Sequence, residues 1–108
     1  MRVHQNVILE TTDLTSSLTS EEFQLEHMYG YSIFIKWESA SSQMETELTI
    51  EVSNDGVDWY EYYTLDLVGV SNKCIINVTD VFYKTARVKL NANVGSISPK
   101  LTIYRKGV

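Results

Sequence analysis

Apolar residues fall at every second position through most of this chain. A segment with that pattern can bury one face only as a β-strand. The clearest instance is Tyr31-Ser32-Ile33-Phe34-Ile35-Lys36-Trp37-Glu38: Tyr31, Ile33, Ile35 and Trp37 share one face, with Phe34 the exception on the other. Glu47 to Ser53 alternates almost without error, with Leu48, Ile50 and Val52 pointing in. The second half repeats the pattern in Cys74, Ile76 and Val78, in Ala86, Val88 and Leu90, and in Leu101 and Ile103. In the weaker first third, Val7 and Leu9 share one side of a strand, residues 11–20 read as loop or edge, and Phe23 and Leu25 mark another strand. No window keeps apolar residues at helical spacing for three turns.

These segments predict seven or eight short strands in an antiparallel β-sandwich, jelly-roll or Ig-like, as a single domain over residues 1–108. The expected core is Ile33, Ile35, Trp37, Leu48, Ile50, Val52, Ile76, Val78, Val88, Leu90, Leu101 and Ile103. Asp55-Gly56 lies between two alternating segments and predicts a hairpin, because glycine accepts positive φ at no steric cost. Pro99 is expected just before the last strand, where its missing N–H does little harm.

Charge is divided along the chain. Residues 1–66 hold thirteen of the fourteen acids and two of the nine bases; residues 67–108 hold seven bases and one acid, Asp80. Early and late strands that lie side by side would neutralise this split inside the fold. Alternatively, an acidic face of one copy would meet a basic face of the next. The internal reading is preferred, because neighbouring strands in sandwiches come from distant sequence. The net charge of −5 argues against nucleic acid as a partner. No apolar run approaches the roughly 20 residues that a membrane-spanning helix needs. Residues 1–6 show neither the positive nor the apolar part of a signal peptide, so the chain is expected to act where it is made or to leave as part of an assembly.

Chemistry is sparse, and no catalytic group, cofactor or metal site is expected. Cys74 is the one cysteine and sits on the apolar side of its strand, where a thiol acts as a small hydrophobe. His4, His27 and Cys74 are too scattered for a zinc site or a nucleophile–base pair. Asn54, Asp55 and Asp58 could together offer oxygens to Ca²⁺, but their spacing is not that of an EF-hand, and such residues in turns usually bond their own backbone. In Trp59-Tyr60-Glu61-Tyr62-Tyr63, strand alternation places Trp59 and Tyr63 on one face and Tyr60 and Tyr62 on the other. One pair is expected in the core. The other, taken as Tyr60 and Tyr62, is the candidate interface or ligand contact.

Leu48-Thr49-Ile50-Glu51-Val52 followed by Ser53-Asn54-Asp55-Gly56-Val57-Asp58-Trp59 resembles small β-sandwich virion proteins of tailed bacteriophages. The later Ala86-Arg87-Val88-Lys89-Leu90 and the closing Lys106-Gly107 are similar too. The resemblance implies a structural protein without catalysis: a repeated decoration, neck or tail subunit, located in the virion after synthesis in the host cytoplasm. Its partners would be capsid or tail proteins and further copies of itself, with no nucleic acid and no membrane. Discoidin-type sandwiches carry a similar turn, which implies the alternative of a glycan-binding adhesion module. In either case Asn54, Asp55, Gly56 and Trp59 form a structural turn, with Trp59 folding onto the core beside it.

Overall fold

The computed structural model describes residues 2–11, 14–39, 45–68, 71–95 and 97–107, and it is all β. Nine strands follow one another: β1 (Arg2–Glu10), β2 (Ser17–Thr19), β3 (Phe23–Gln24), β4 (Met28–Ser39), β5 (Glu45–Ser53), β6 (Tyr60–Leu67), β7 (Ser71–Val78), β8 (Thr85–Val94) and β9 (Ile97–Gly107). They form two antiparallel sheets. One has the order β1-β9-β4-β7; the other has the order β2-β8-β5-β6, with β3 also on β8. Short β2 and β3 dock on successive stretches of β8, at Lys89–Asn91 and Thr85–Ala86. The total of nine exceeds the seven or eight expected, because residues 11–20, read as loop or edge, contribute the short strand β2.

Among consecutive strands only β5 and β6 pair with each other. Nearly every other connection crosses between sheets, and this produces the strand order of a jelly roll. The same crossing sets early strands beside late ones, as in β1 with β9 and β5 with β8. Among the described residues, three ion pairs each join an early acid to a late base: Glu51–Arg87 at 2.9 Å, and Glu26–Lys84 and Glu10–Lys100 at 3.9 Å. Part of the charge split is therefore neutralised within the fold.

The core lies between the sheets, where alternation places it. Ile33, Ile35, Trp37, Leu48, Ile50, Val78, Val88, Leu90, Leu101 and Ile103 are buried. Val52 and Ile76 are only half-buried at its margin. Leu14, Phe23, Leu25, Tyr31, Leu67 and Ile97 complete it.

Two local predictions need correction. Val7 is exposed, whereas Ile8 and Leu9 are both buried. A register shift between Val7 and Leu9 on β9 lets two consecutive residues turn inward, as a β-bulge does. Pro99 lies inside β9, paired with Trp37, rather than ahead of it. Its carbonyl accepts the Thr11 amide at 3.2 Å, so its nitrogen faces the same side. Pro99 has no N–H to return to Thr11, and the β1–β9 register ends one pair earlier, at Glu10 and Lys100.

Candidate functional site

Three surface features could contact a partner: the β5–β6 loop, the tyrosines that follow it, and the outer face of the four-stranded sheet. In the loop, Ser53 is buried and its hydroxyl is the hub. Its Oγ accepts the amides of Asp55 (3.3 Å) and Gly56 (2.9 Å) and donates to Asp55 Oδ1 (3.0 Å). Asp55 Oδ1 also accepts the amides of Val57 and Asp58, each at 2.8 Å. These backbone donors, then the Ser53 hydroxyl, hold the Asp55 carboxyl down at about 2. Gly56 supplies the left-handed turn at φ 77°. Asn54 Oδ1 accepts the Lys84 amide at 2.9 Å, tying the loop to the approach to β8.

The hairpin is present, but its connection runs from Asn54 to Trp59 rather than through a two-residue turn. The Asn54 and Asp55 oxygens are directed at backbone N–H groups. Among the described residues no group of three or more His, Cys, Asp or Glu could hold a metal ion.

Trp59 does not fold onto the core. Its ring lies under the guanidinium of Arg87, with Cζ 3.9 Å from the centroid, and Arg87 Nε donates to Glu51 at 2.9 Å. Arg87 and Glu51 are opposite one another on the outward side of the five-stranded sheet, and Trp59 packs on that side. The predicted division of the aromatics fails with it. Tyr60, Tyr62 and Tyr63 are all exposed, at 66%, 47% and 46%. The reason is twofold. β6 is an edge strand, and a bulge opposite Ile50 and Glu51 leaves Tyr62 unpaired, which breaks the parity of the run. Tyr62 stacks on Tyr83 at 5.4 Å, and the Tyr83 hydroxyl meets that of buried Tyr31 at 2.9 Å. Burial first, then the bond to Tyr83, pushes the Tyr31 hydroxyl far above its ordinary range.

The outer face of the four-stranded sheet was not singled out from the sequence. Its pairing sets residues in rows across the strands. One row is Val7, Thr102, Phe34, Ile75; the next is Gln5, Tyr104, Ser32, Asn77. Phe34 and Ile75 are 42% and 54% exposed, and Phe34 stacks on Tyr104 at 4.7 Å. Open grooves of about 640 and 650 Å³ flank this aromatic pair. The exception noted at Phe34 was the available signal: an aromatic residue on the polar face of an otherwise regular strand.

Cys74 is half-buried against the core, and burial pushes its thiol up, away from a nucleophilic thiolate. Cys74 pairs with Ile35, whereas His27 lies in the turn before Met28 at the far end of β4. Seven residues of strand separate those positions, about 23 Å at roughly 3.3 Å each. They do not form a nucleophile–base pair.

No protein-family model matches the sequence, and no curated protein is significantly similar to it. Solved structures share the fold. The VP2 subviral particle of infectious bursal disease virus matches with a TM-score of 0.67 at 9% identity, over 98% of this chain and 33% of that one. This chain thus spans about a third of the viral protein's length. The SPBc2 prophage-derived protein YomS matches with a TM-score of 0.58 at 11% identity, over 96% of both chains. A protein of Bacillus endospore appendages, described as disulfide-linked pili, matches with a TM-score of 0.58 at 11% identity, over 98% of this chain and 88% of that one. At these identities the likeness establishes the fold: an antiparallel β-sandwich of the kind found in these proteins.

Proposed function

We propose that this chain is a non-catalytic structural subunit of a bacteriophage virion, present in repeated copies and bound to capsid or tail proteins. The observation that carries the reading is the jelly-roll order combined with an outer sheet face that exposes Phe34 and Ile75 beside Tyr104. An apolar strip on an otherwise polar sheet face is what a protein–protein contact requires. The SNDGxxW resemblance and the end-to-end match in length to a prophage-derived protein support the same assignment. Whether the copies decorate a capsid or build a neck or tail is decided by where they bind.

The test is quantitative mass spectrometry of purified phage particles from a strain carrying the coding sequence. The expected result is recovery in many copies per particle, resistant to protease until the particle is opened or stripped. Recovery only in the soluble fraction refutes the proposal.

A second reading, a glycan-binding adhesion module, is favoured by the exposure of Tyr60 and Tyr62 beside a hollow of about 230 Å³ of mixed polar and apolar lining, to which Asn54, Asp58 and Tyr60 contribute. The stacking platform would be Tyr60 and Tyr62, because the Arg87 guanidinium lies over Trp59. Glycan-array binding that Tyr60→Ala abolishes without unfolding would support this reading. No binding to any glycan would refute it.

A further inference from the structure

Pairing across the four-stranded sheet brings three lysines abreast. Lys100 on β9 is directly opposite Lys36 on β4, and Lys36 is directly opposite Lys73 on β7. Neighbouring strands are about 4.8 Å apart, so three ammonium groups rise from a line about 10 Å long. Like charges directly opposite one another destabilise a sheet. Lys100 has Glu10 at 3.9 Å, and Glu38 stands one row on from the lysines on the same face; among the described residues Lys36 and Lys73 make no ion pair. The row borders the exposed apolar pair Phe34 and Ile75, and the groove of about 650 Å³ between them is open.

The other sheet carries the opposite arrangement. On the outward side of the β5–β6 hairpin, Glu47 is directly opposite Asp66, and Glu51 is directly opposite Glu61. Arg87 answers Glu51, and Lys89 lies opposite Thr49 between the two acidic rows; among the described residues Glu47, Glu61 and Asp66 make no ion pair. The exposed Tyr62 and Tyr63 lie on the same edge strand, on its side toward β7. One surface is therefore predominantly basic and the other predominantly acidic, each with exposed apolar area on or beside it, and the two lie on different sheets of one molecule.

We propose that the chain assembles head to tail, with the acidic β5–β6 margin of one copy seated on the lysine row and the Phe34–Ile75 strip of the next. The contact is heterologous, because the two surfaces differ, so it continues from copy to copy until a ring closes or a filament grows. Bringing carboxylates to the lysines relieves like-charge repulsion on both surfaces at once and excludes other arrangements by charge. The inference deepens the structural-subunit reading and rests on it, naming a second copy as one of that subunit's partners.

The test is light scattering on two neutralised variants, Lys36→Gln/Lys73→Gln and Glu47→Gln/Asp66→Asn, alone and mixed. Wild-type chain is expected to associate in about 50 mM salt, and about tenfold more weakly near 1 M, where the Debye length falls to about 3 Å. Each variant alone should be monomeric with an unchanged or raised melting temperature, which separates lost docking from lost folding. An equimolar mixture should form a discrete one-to-one dimer, since each variant retains the surface that the other lacks. Monomeric wild type at low salt overturns the proposal. So do variants that associate as the wild type does, a mixture that stays monomeric, or a mixture that grows beyond the dimer. A monomeric chain that is nevertheless recovered in phage particles refutes this contact alone. Head-to-tail assembly by a chain absent from particles refutes the virion reading alone.

Discussion

Arg87 is held by two groups on the outward side of the five-stranded sheet, and removing it should measure what they contribute. Its guanidinium stacks on the half-buried Trp59 ring at 3.9 Å, and its Nε donates to Glu51 at 2.9 Å. The two side chains of the ion pair are 27% and 17% exposed, so water screens this pair less than it screens Glu26–Lys84 or Glu10–Lys100. The ring contact contributes about 0.5–1 kcal/mol, and the ion pair about 1 kcal/mol at the upper end for surface pairs. Arg87→Ala also leaves Glu51 facing Glu61 without its paired cation, which adds a few tenths of a kcal/mol. The expected loss is about 2 kcal/mol. With an unfolding entropy of about 2.1 cal/mol/K per residue, a chain of this length loses about 9 °C of melting temperature for that change. Arg87→Lys keeps the charge but not the planar stack, and should fall about midway. In a double-mutant cycle with Trp59→Ala, measured by urea unfolding, the coupling should be about 0.5–1 kcal/mol. A loss below about 0.5 kcal/mol for Arg87→Ala, together with additivity with Trp59→Ala, would refute the reasoning and return Trp59 to an unattached surface position.

Other perturbations test other parts of the structure. Ser53→Ala removes the acceptor of the Gly56 amide in a buried position and should cost about 1–3 kcal/mol in a thermal melt; an unchanged melting temperature would contradict the role of this hydroxyl as the loop's hub. Gly30→Ala would place a Cβ 2.7 Å from the Val78 carbonyl oxygen, a contact that only backbone movement can relieve, so a loss of more than about 2 kcal/mol is expected; wild-type stability would show that β4 and β7 separate easily. Tyr31 and Tyr83 both have hydroxyl pKa values raised by burial above 10.0, so the folded state favours their neutral forms. That stability is fully present below pH 10 and is lost as pH rises beyond it, so the part of the tyrosinate absorbance that Tyr31→Phe removes should appear only with alkaline unfolding. Its appearance while the fold persists would contradict this.

What the sequence made legible was whatever depends on parity alone. The inward residues of β4, the first inward pair of β5 and the inward residues of β8 follow from a period of two, because no register shift interrupts the alternation there. Parity failed where a bulge adds a residue: at Ile8, which turns inward beside Leu9, and at Tyr62, which frees the β6 tyrosines from a simple division into two faces. Trp59 was misplaced for a related reason. A large apolar residue after a turn suggests core, but a six-residue loop carries it to the outer side, where a guanidinium rather than the core receives it. The lysine row could not be read at all, since it needs the register of three strands whose members are 36, 73 and 100 in the chain.

The charge split admitted an internal and an external reading, and the fold shows that they are compatible. Crossing connections bring Glu10, Glu26 and Glu51 to Lys100, Lys84 and Arg87, which accounts for three early acids and three late bases. What the crossings leave over is not spread evenly. Lys36 is one of only two bases in the acidic half, and it stands between two late lysines at the centre of its sheet, where a carboxylate would have completed the internal pairing. Glu47 and Asp66 meet across a hairpin that lies wholly within the acidic half, so no late strand can reach both. A jelly roll fills its interior with side chains, and here that interior is apolar. In the proposed assembly, recognition therefore falls to the outer faces, where the charges left unanswered are predominantly basic on one and predominantly acidic on the other.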